Sequence, residues 1–155
     1  GGMKIGGRMG IETKEVKDYI ERIAGEIEGV LNRFQEIEFA YLFGSFIDIE
    51  RDVFRDIDVA VYVSSVSSFS AYEKMKLSLK IGRELEKVIR PRYEFDVKIL
   101  NYAPILFQYE VIKTGKVVFS RDEVDRIRYE AKVISSYLDY KETSDWLDSE
   151  FLAGL

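Results

Sequence analysis

Two alternating runs joined through a glycine-serine turn constrain this chain more than anything else in it. The first run, residues 36–43, leads into Tyr41-Leu42-Phe43-Gly44-Ser45. After ten further residues the second opens with Asp56-Ile57-Asp58 and continues as Val59-Ala60-Val61-Tyr62-Val63. Ile37, Phe39, Tyr41 and Phe43 recur at every second position of the first run, and Ile57, Val59, Val61 and Val63 at every second position of the other. A period of two predicts strands. Residues two apart on a strand share a face, so Asp56 and Asp58 are expected to project together.

Two neighbouring carboxylates repel each other, and a cation between them relieves that repulsion. For paired oxygen ligands working with phosphates, the usual cation is Mg²⁺. Gly44-Ser45 complements the pair. Glycine lets the backbone approach a ligand closely, and the N–H groups of a turn leading into a helix suit a phosphate.

Composition narrows the chemistry further. The chain has 155 residues, enough for one domain with a substantial core. It has no cysteine and no histidine, which excludes disulfides, thiolate catalysis, imidazole general bases and Cys/His metal sites. Acid–base and metal chemistry must rest on Asp, Glu, Lys or Tyr. The net charge of -5 comes without a basic tail and disfavours a nucleic-acid partner. No apolar run is long enough to span a membrane and no signal peptide is evident, so a cytoplasmic location is expected.

The remaining chain alternates helices and strands around these two runs. Residues 1–11 are glycine-rich and read as a flexible start. Residues 12–34 carry an apolar helical stripe from Val16 through Tyr19, Ile20, Ile23, Ile27, Val30 and Leu31 to Phe34. The stretch 45–54 reads as a short helix or loop. A helix is expected over about 70–90, with Leu77, Ile81, Leu85, Val88 and Ile89 inward and Pro91 as its stop. Residues 93–100 form a third strand, with Phe95, Val97 and Ile99 on one face and Glu94, Asp96 and Lys98 on the other. A helix over 104–114, a glycine stop at Gly115 and a short strand over 116–119 follow. Ser120 and Glu123 suggest a capping box, opening a last helix with Val124, Ile127, Ala131, Ile134 and Leu138 inward. Residues 142–155 read as a tail with exposed-looking Trp146, Phe151 and Leu152, which pack within the chain or contact a partner. The expected domain therefore spans 12–141, an α/β (α+β) fold with a small mixed sheet and helices mainly on one face. The open face carries Asp56, Asp58 and Asp96. Three carboxylates on neighbouring strands can hold divalent ions for phosphoryl transfer, and the third can also take a proton. Lys98, two residues beyond Asp96 on the same face, reads as a solvated strand residue, with offsetting phosphate charge or binding the second substrate as the other reading. Asp96 itself could instead pair with Lys98 or Arg92.

These motifs together resemble the minimal nucleotidyltransferases (MNT) of the DNA polymerase β-like superfamily. The resemblance rests on Gly44-Ser45, ten residues, Asp56-Ile57-Asp58, and the later strand Glu94-Phe95-Asp96-Val97-Lys98-Ile99-Leu100-Asn101. Ala103-Pro104 and Gly115-Lys116-Val117-Val118-Phe119 extend it, and residues 120–141 resemble the end of the antitoxin subgroup of HEPN/MNT toxin–antitoxin pairs. Two departures stand in the spacer: Phe46-Ile47-Asp48-Ile49 where relatives often carry an arginine and a glycine, and Arg55 where they often carry serine.

The resemblance implies a polymerase β-like fold and a Mg²⁺-dependent adenylyltransferase. Such an enzyme transfers AMP from ATP to a tyrosine of a partner HEPN ribonuclease toxin. It further implies that Gly44 and Ser45 hold the triphosphate, that Asp56 and Asp58 bind Mg²⁺, and that Asp96 completes the metal site and activates the hydroxyl. A homodimer or a hetero-oligomer with the toxin fits such a protein. Two other readings stay open: an antitoxin that neutralises by binding alone, and a nucleotidyltransferase of small molecules.

Overall fold

The computed structural model describes residues 2–44, 56–64, 69–89, 93–101 and 103–154, with the backbone alone for 2–13 and 16. Its elements are α1 (Gly2–Leu31), β1 (Ile37–Phe43), β2 (Asp56–Val63), α2 (Ala71–Val88), β3 (Glu94–Ile99), α3 (Ile105–Thr114), β4 (Lys116–Ser120) and α4 (Glu123–Ala153). The strands form one sheet in the order β3-β2-β1-β4. β1 runs antiparallel to β2 and β4, while β2 and β3 are parallel, joined through α2. The expected mixed sheet is therefore present, and β2 has the span that the alternation predicted.

Alternation along the strands divides the core in two. Ile57, Val59, Val61 and Val63 face α1 and α2, where they meet Ile23, Ile27, Leu31, Ile81 and Leu85. This is the larger of the two clusters. On the opposite face Phe39, Tyr41 and Ala60 pack with Leu100, Val111, Tyr129 and Val133 from the β3 end, α3 and α4. Helices α1 and α2 thus cover one face, with Phe95 and Ile99 of β3 only partly buried, and α3 with the start of α4 covers one end of the other. Among the described residues, the end of that second face near the start of β2 carries the exposed Asp56, Glu94 and Asp96. Ile37 departs from the expected alternation: the β1–β2 register shifts between Ile37 and Phe39, turning Ile37 into the α1–α2 core and leaving Phe39 and Tyr41 on the other face.

Helix ends follow local chemistry. Ser70 caps α2, its hydroxyl accepting from the Glu73 N–H at 3.1 Å. The cap of α4 is Asp122 rather than Ser120, its carboxylate accepting from the N–H groups of Val124 and Asp125. Carboxylate caps also suit the positive end of a helix dipole.

Three expectations change. α1 begins at Gly2 rather than near residue 12, and residues 142–153 continue α4 instead of forming a separate tail. The third concerns the phase of α4. Tyr129 and Val133 are buried, whereas Val124, Ile127, Ile134 and Leu138 are exposed. The ring of Tyr129 joins Phe39 and Tyr62 in an aromatic cluster, with centroids 5.1 and 4.8 Å away, and its hydroxyl donates to Gln108 Oε1 at 2.5 Å. A tyrosine with a satisfied hydroxyl fits this interior better than the aliphatic stripe does. The stretch 45–54 and Pro91 lie outside the described residues. No described helix is long and apolar enough to cross a membrane.

Candidate active site

The open end of the second sheet face collects the acidic residues. The parallel register of β2 and β3 sets Asp56 opposite Glu94, Asp58 opposite Asp96 and Ala60 opposite Lys98. Neighbouring strands lie about 4.8 Å apart, so opposite residues on one face are direct neighbours. Two acidic rungs are followed by a rung carrying a lysine. Lys98 Nζ lies 3.6 Å from Asp96 Oδ2, with both side chains more than half exposed.

Asp58 feels this crowding most. Partial burial, followed by the charges of Asp96 and Asp56, pushes its carboxyl above the ordinary carboxylate value, and Lys98 opposes the shift. Among the described residues no three acidic side chains close around a point that encloses a metal ion. The donor set nevertheless fits a divalent cation: oxygen ligands from adjacent strands, mutually repelling and open to solvent on one side. Asp56, Asp58 and Asp96 are the expected candidates to hold one.

Gly44 brings the other half of the motif to the same point. β1 ends with Phe43 opposite Asp58, and the next residue turns with φ 79°. A side chain at Gly44 would collide with Asp58 Oδ2. The turn therefore needs glycine twice, for its positive φ and for room beside the carboxylate. Ser45 and the spacer 46–55 lie outside the described residues.

Tyr41 precedes this turn but serves the interior. It is buried, and its hydroxyl donates to Glu130 Oε1 at 2.7 Å; Arg126 donates to the same oxygen at 2.7 Å. Burial and the Glu130 carboxylate push the Tyr41 phenol above its usual value, so it stays neutral. The bond ties α4 to β1 behind the acidic rungs. At the far end of β2, Asn101 performs a similar task. Its side chain accepts from the Val63 N–H at 2.9 Å and donates to the Val63 carbonyl at 2.8 Å.

Structure thus brings Gly44, Asp56, Asp58 and Asp96 to one end of the sheet. It adds Lys98, which sequence reasoning set aside. The signal for Lys98 was its two-residue spacing from Asp96, which fixed the shared face and offered it, beside Arg92, as a partner for that carboxylate. Arg92 lies outside the described residues.

The description polymerase beta, nucleotidyltransferase belongs to the family whose profile matches residues 25–124, which include all of these groups. The chain belongs to this family. Solved structures share the nucleotidyltransferase fold. A chain from a toxin–antitoxin crystal structure with AMP-PNP superposes with a TM-score of 0.63 at 20% identity, covering 83% of this chain and 98% of that one. A second comes from the complex of the tri-AMPylated Shewanella oneidensis HEPN toxin with its MNT antitoxin. Its TM-score is 0.61 at 19% identity, over 86% of this chain and 98% of that one. A third, from a MntA–HepT toxin–antitoxin complex, gives 0.60 at 19% identity, over 85% and 98%. No curated protein matches the chain by sequence. At these identities the structural likeness establishes the fold, and the family match places the nucleotidyltransferase domain over all four strands of the sheet.

Proposed function

We propose that this nucleotidyltransferase is the antitoxin of a HEPN/MNT pair, acting in the cytoplasm to transfer AMP from ATP to a tyrosine of a HEPN toxin. The observation that carries the reading is the meeting of Gly44 with Asp58 and Asp96 at the open end of the sheet. The structural neighbours that include an AMPylated HEPN toxin and an AMP-PNP complex support the choice of partner and nucleotide.

In this reading Gly44 and Ser45 present backbone N–H groups to the triphosphate. Asp56, Asp58 and Asp96 hold Mg²⁺. When bound, the ion neutralises phosphate charge and lowers the pKa of the attacking hydroxyl. Asp96 accepts the tyrosine proton. The phenolic oxygen forms a bond to the α-phosphorus, the bond from that phosphorus to the oxygen bridging to the β-phosphate breaks, and pyrophosphate leaves with the electron pair. Lys98 stands on the same face, two residues from Asp96, where its charge can follow the phosphates.

The test is incubation of the chain with a HEPN-domain ribonuclease, Mg²⁺ and ATP labelled at the α-phosphate. Label on a tyrosine of the partner is expected, and its loss in Asp56→Asn. An unlabelled partner that the Asp56→Asn variant still neutralises in full would establish the second reading, inhibition by contact alone, which the unusual spacer 46–55 motivates.

A further inference from the structure

A cavity of about 300 Å³ lies between the far end of β2, α3 and α4. Four places in the chain build it. On α4, Tyr129, Lys132, Val133 and Ser136 stand three, four and seven residues apart, which puts them on one helix face. On α3, Ile105 and Gln108 are about one turn apart. Tyr62 enters from the end of β2 and Asn101 from just beyond β3. Tyr62 is four residues beyond Asp58, about 13 Å along the strand, so the cavity stands apart from the acidic rungs.

The apolar side of the cavity is rigid. Tyr62 stacks flat on Phe39 with ring centroids 4.7 Å apart and leans on Tyr129 at 4.8 Å, so two rings of a packed aromatic cluster form the wall. Ile105 and Val133 belong to the same cluster. The polar side is rich in donors. Gln108 Nε2 donates to the Ala103 carbonyl at 2.7 Å, and Asn101 Nδ2 donates to the Val63 carbonyl at 2.8 Å. A backbone carbonyl only accepts, so both amides have a fixed orientation, and each keeps one N–H uncommitted. Lys132, Ser136 and the Tyr62 hydroxyl have no hydrogen-bond or ion-pair partner among the described residues.

Charge points the same way. Among the described residues that line the cavity, Lys132 is the one charged group, and none is acidic. This holds in a chain whose net charge is -5. Aromatic walls bind a flat apolar body, while a lysine with neighbouring N–H and O–H donors binds an anionic head. Small-molecule sites begin at about 300 Å³, so the ligand is small.

We propose that this cavity is a second ligand site, for a small ring compound carrying a carboxylate or phosphate monoester. The ring packs against Tyr62 and Tyr129, and the head meets Lys132, Ser136 and the free Gln108 N–H. The inference is independent of nucleotide transfer.

Amide chemical shifts of the full chain, followed during addition of benzoate or of phenyl phosphate, test it. Binding is expected with Kd on the order of 1 mM, moving the signals of Tyr62, Gln108, Lys132 and Ser136, and the tighter of the two probes identifies the head. Benzyl alcohol, a ring without charge, and inorganic phosphate, a charge without a ring, are each expected to bind at least about 10-fold more weakly. Lys132→Met, at an exposed position, is expected to weaken probe binding roughly 5-fold with the thermal midpoint kept. Ser136→Phe, at the exposed rim, is expected to abolish it by filling the space. Both variants are expected to keep the parent's affinity for Mg²⁺ with AMP-PNP within about 2-fold. Shifts that are absent with both probes overturn the proposal. So does benzyl alcohol that binds as tightly as benzoate, or probe affinity unchanged in Lys132→Met. Loss of AMP-PNP affinity alongside probe affinity in both variants would make the cavity part of the nucleotide site and overturn a second one.

Discussion

Gly44 and Asp58 are packed so closely that a Cβ on the glycine would clash with the Asp58 Oδ2 atom. They come from the two halves of the motif and meet because Phe43 and Asp58 stand opposite each other in the antiparallel β1–β2 pair. Gly44→Ala is therefore expected to lower stability by about 1–3 kcal/mol through its positive φ and the displaced carboxylate. Urea unfolding measures the loss. Binding of Mg²⁺ with AMP-PNP should fall with it, because the carboxylate must move.

Asp58 makes stability depend on pH. Its folded carboxyl is raised above the ordinary value, so the folded state keeps a proton that the unfolded chain has released. Stability from this group is greatest at low pH and declines as pH rises from the ordinary carboxylate value through the raised one. At neutral pH the charged side chain opposes folding. Asp58→Asn is expected to raise the thermal midpoint at pH 7 in the presence of chelator by about 1–3 °C and to flatten this part of the pH profile. Mg²⁺ should stabilise the parent and not the variant.

Lys98 neutralises part of the same cluster. Its pair with Asp96 is exposed, and such pairs contribute up to about 1 kcal/mol, or roughly 5-fold in a competing equilibrium. In the absence of nucleotide, Lys98→Ala is expected to tighten Mg²⁺ binding by up to about 5-fold, read by thermal shift. With Mg²⁺ saturating, it is expected to weaken AMP-PNP binding, because the charge no longer reaches the phosphates.

Tyr41 separates structure from chemistry. Tyr41→Phe removes the donor to Glu130, leaves the Arg126 bond in place, and is expected to lower stability by about 1 kcal/mol. Its Mg²⁺–AMP-PNP affinity should match that of the parent within about 2-fold, as isothermal titration calorimetry can show.

The frame of the site was legible because strand alternation is a local property. Spacing alone assigns faces to Asp56, Asp58 and Asp96, and the motif links the ends of β1 and β2. The α1 stripe was legible for the same reason, since its apolar residues form one continuous band. What failed depended on distant partners. α4 offers two stripes, and the aliphatic one is the more conspicuous in sequence. The buried one is chosen because Phe39, Tyr62 and Gln108 wait for Tyr129, and Tyr41 for Glu130. Ile37 was misplaced because a register shift leaves no mark in a run that alternates on both sides of it. Lys98 was one of two partners the sequence offered for Asp96, and side-chain positions decide for Lys98.

The central claim is that Gly44, Asp56, Asp58 and Asp96 form one nucleotide and metal site. Calorimetric titration of AMP-PNP with Mg²⁺ into the parent chain and into Asp58→Asn tests it most directly. Saturable, Mg²⁺-dependent binding by the parent is predicted, with affinity reduced at least about 10-fold in the variant. Equal affinity in the two proteins, or binding by the parent that is indifferent to Mg²⁺, would contradict the account.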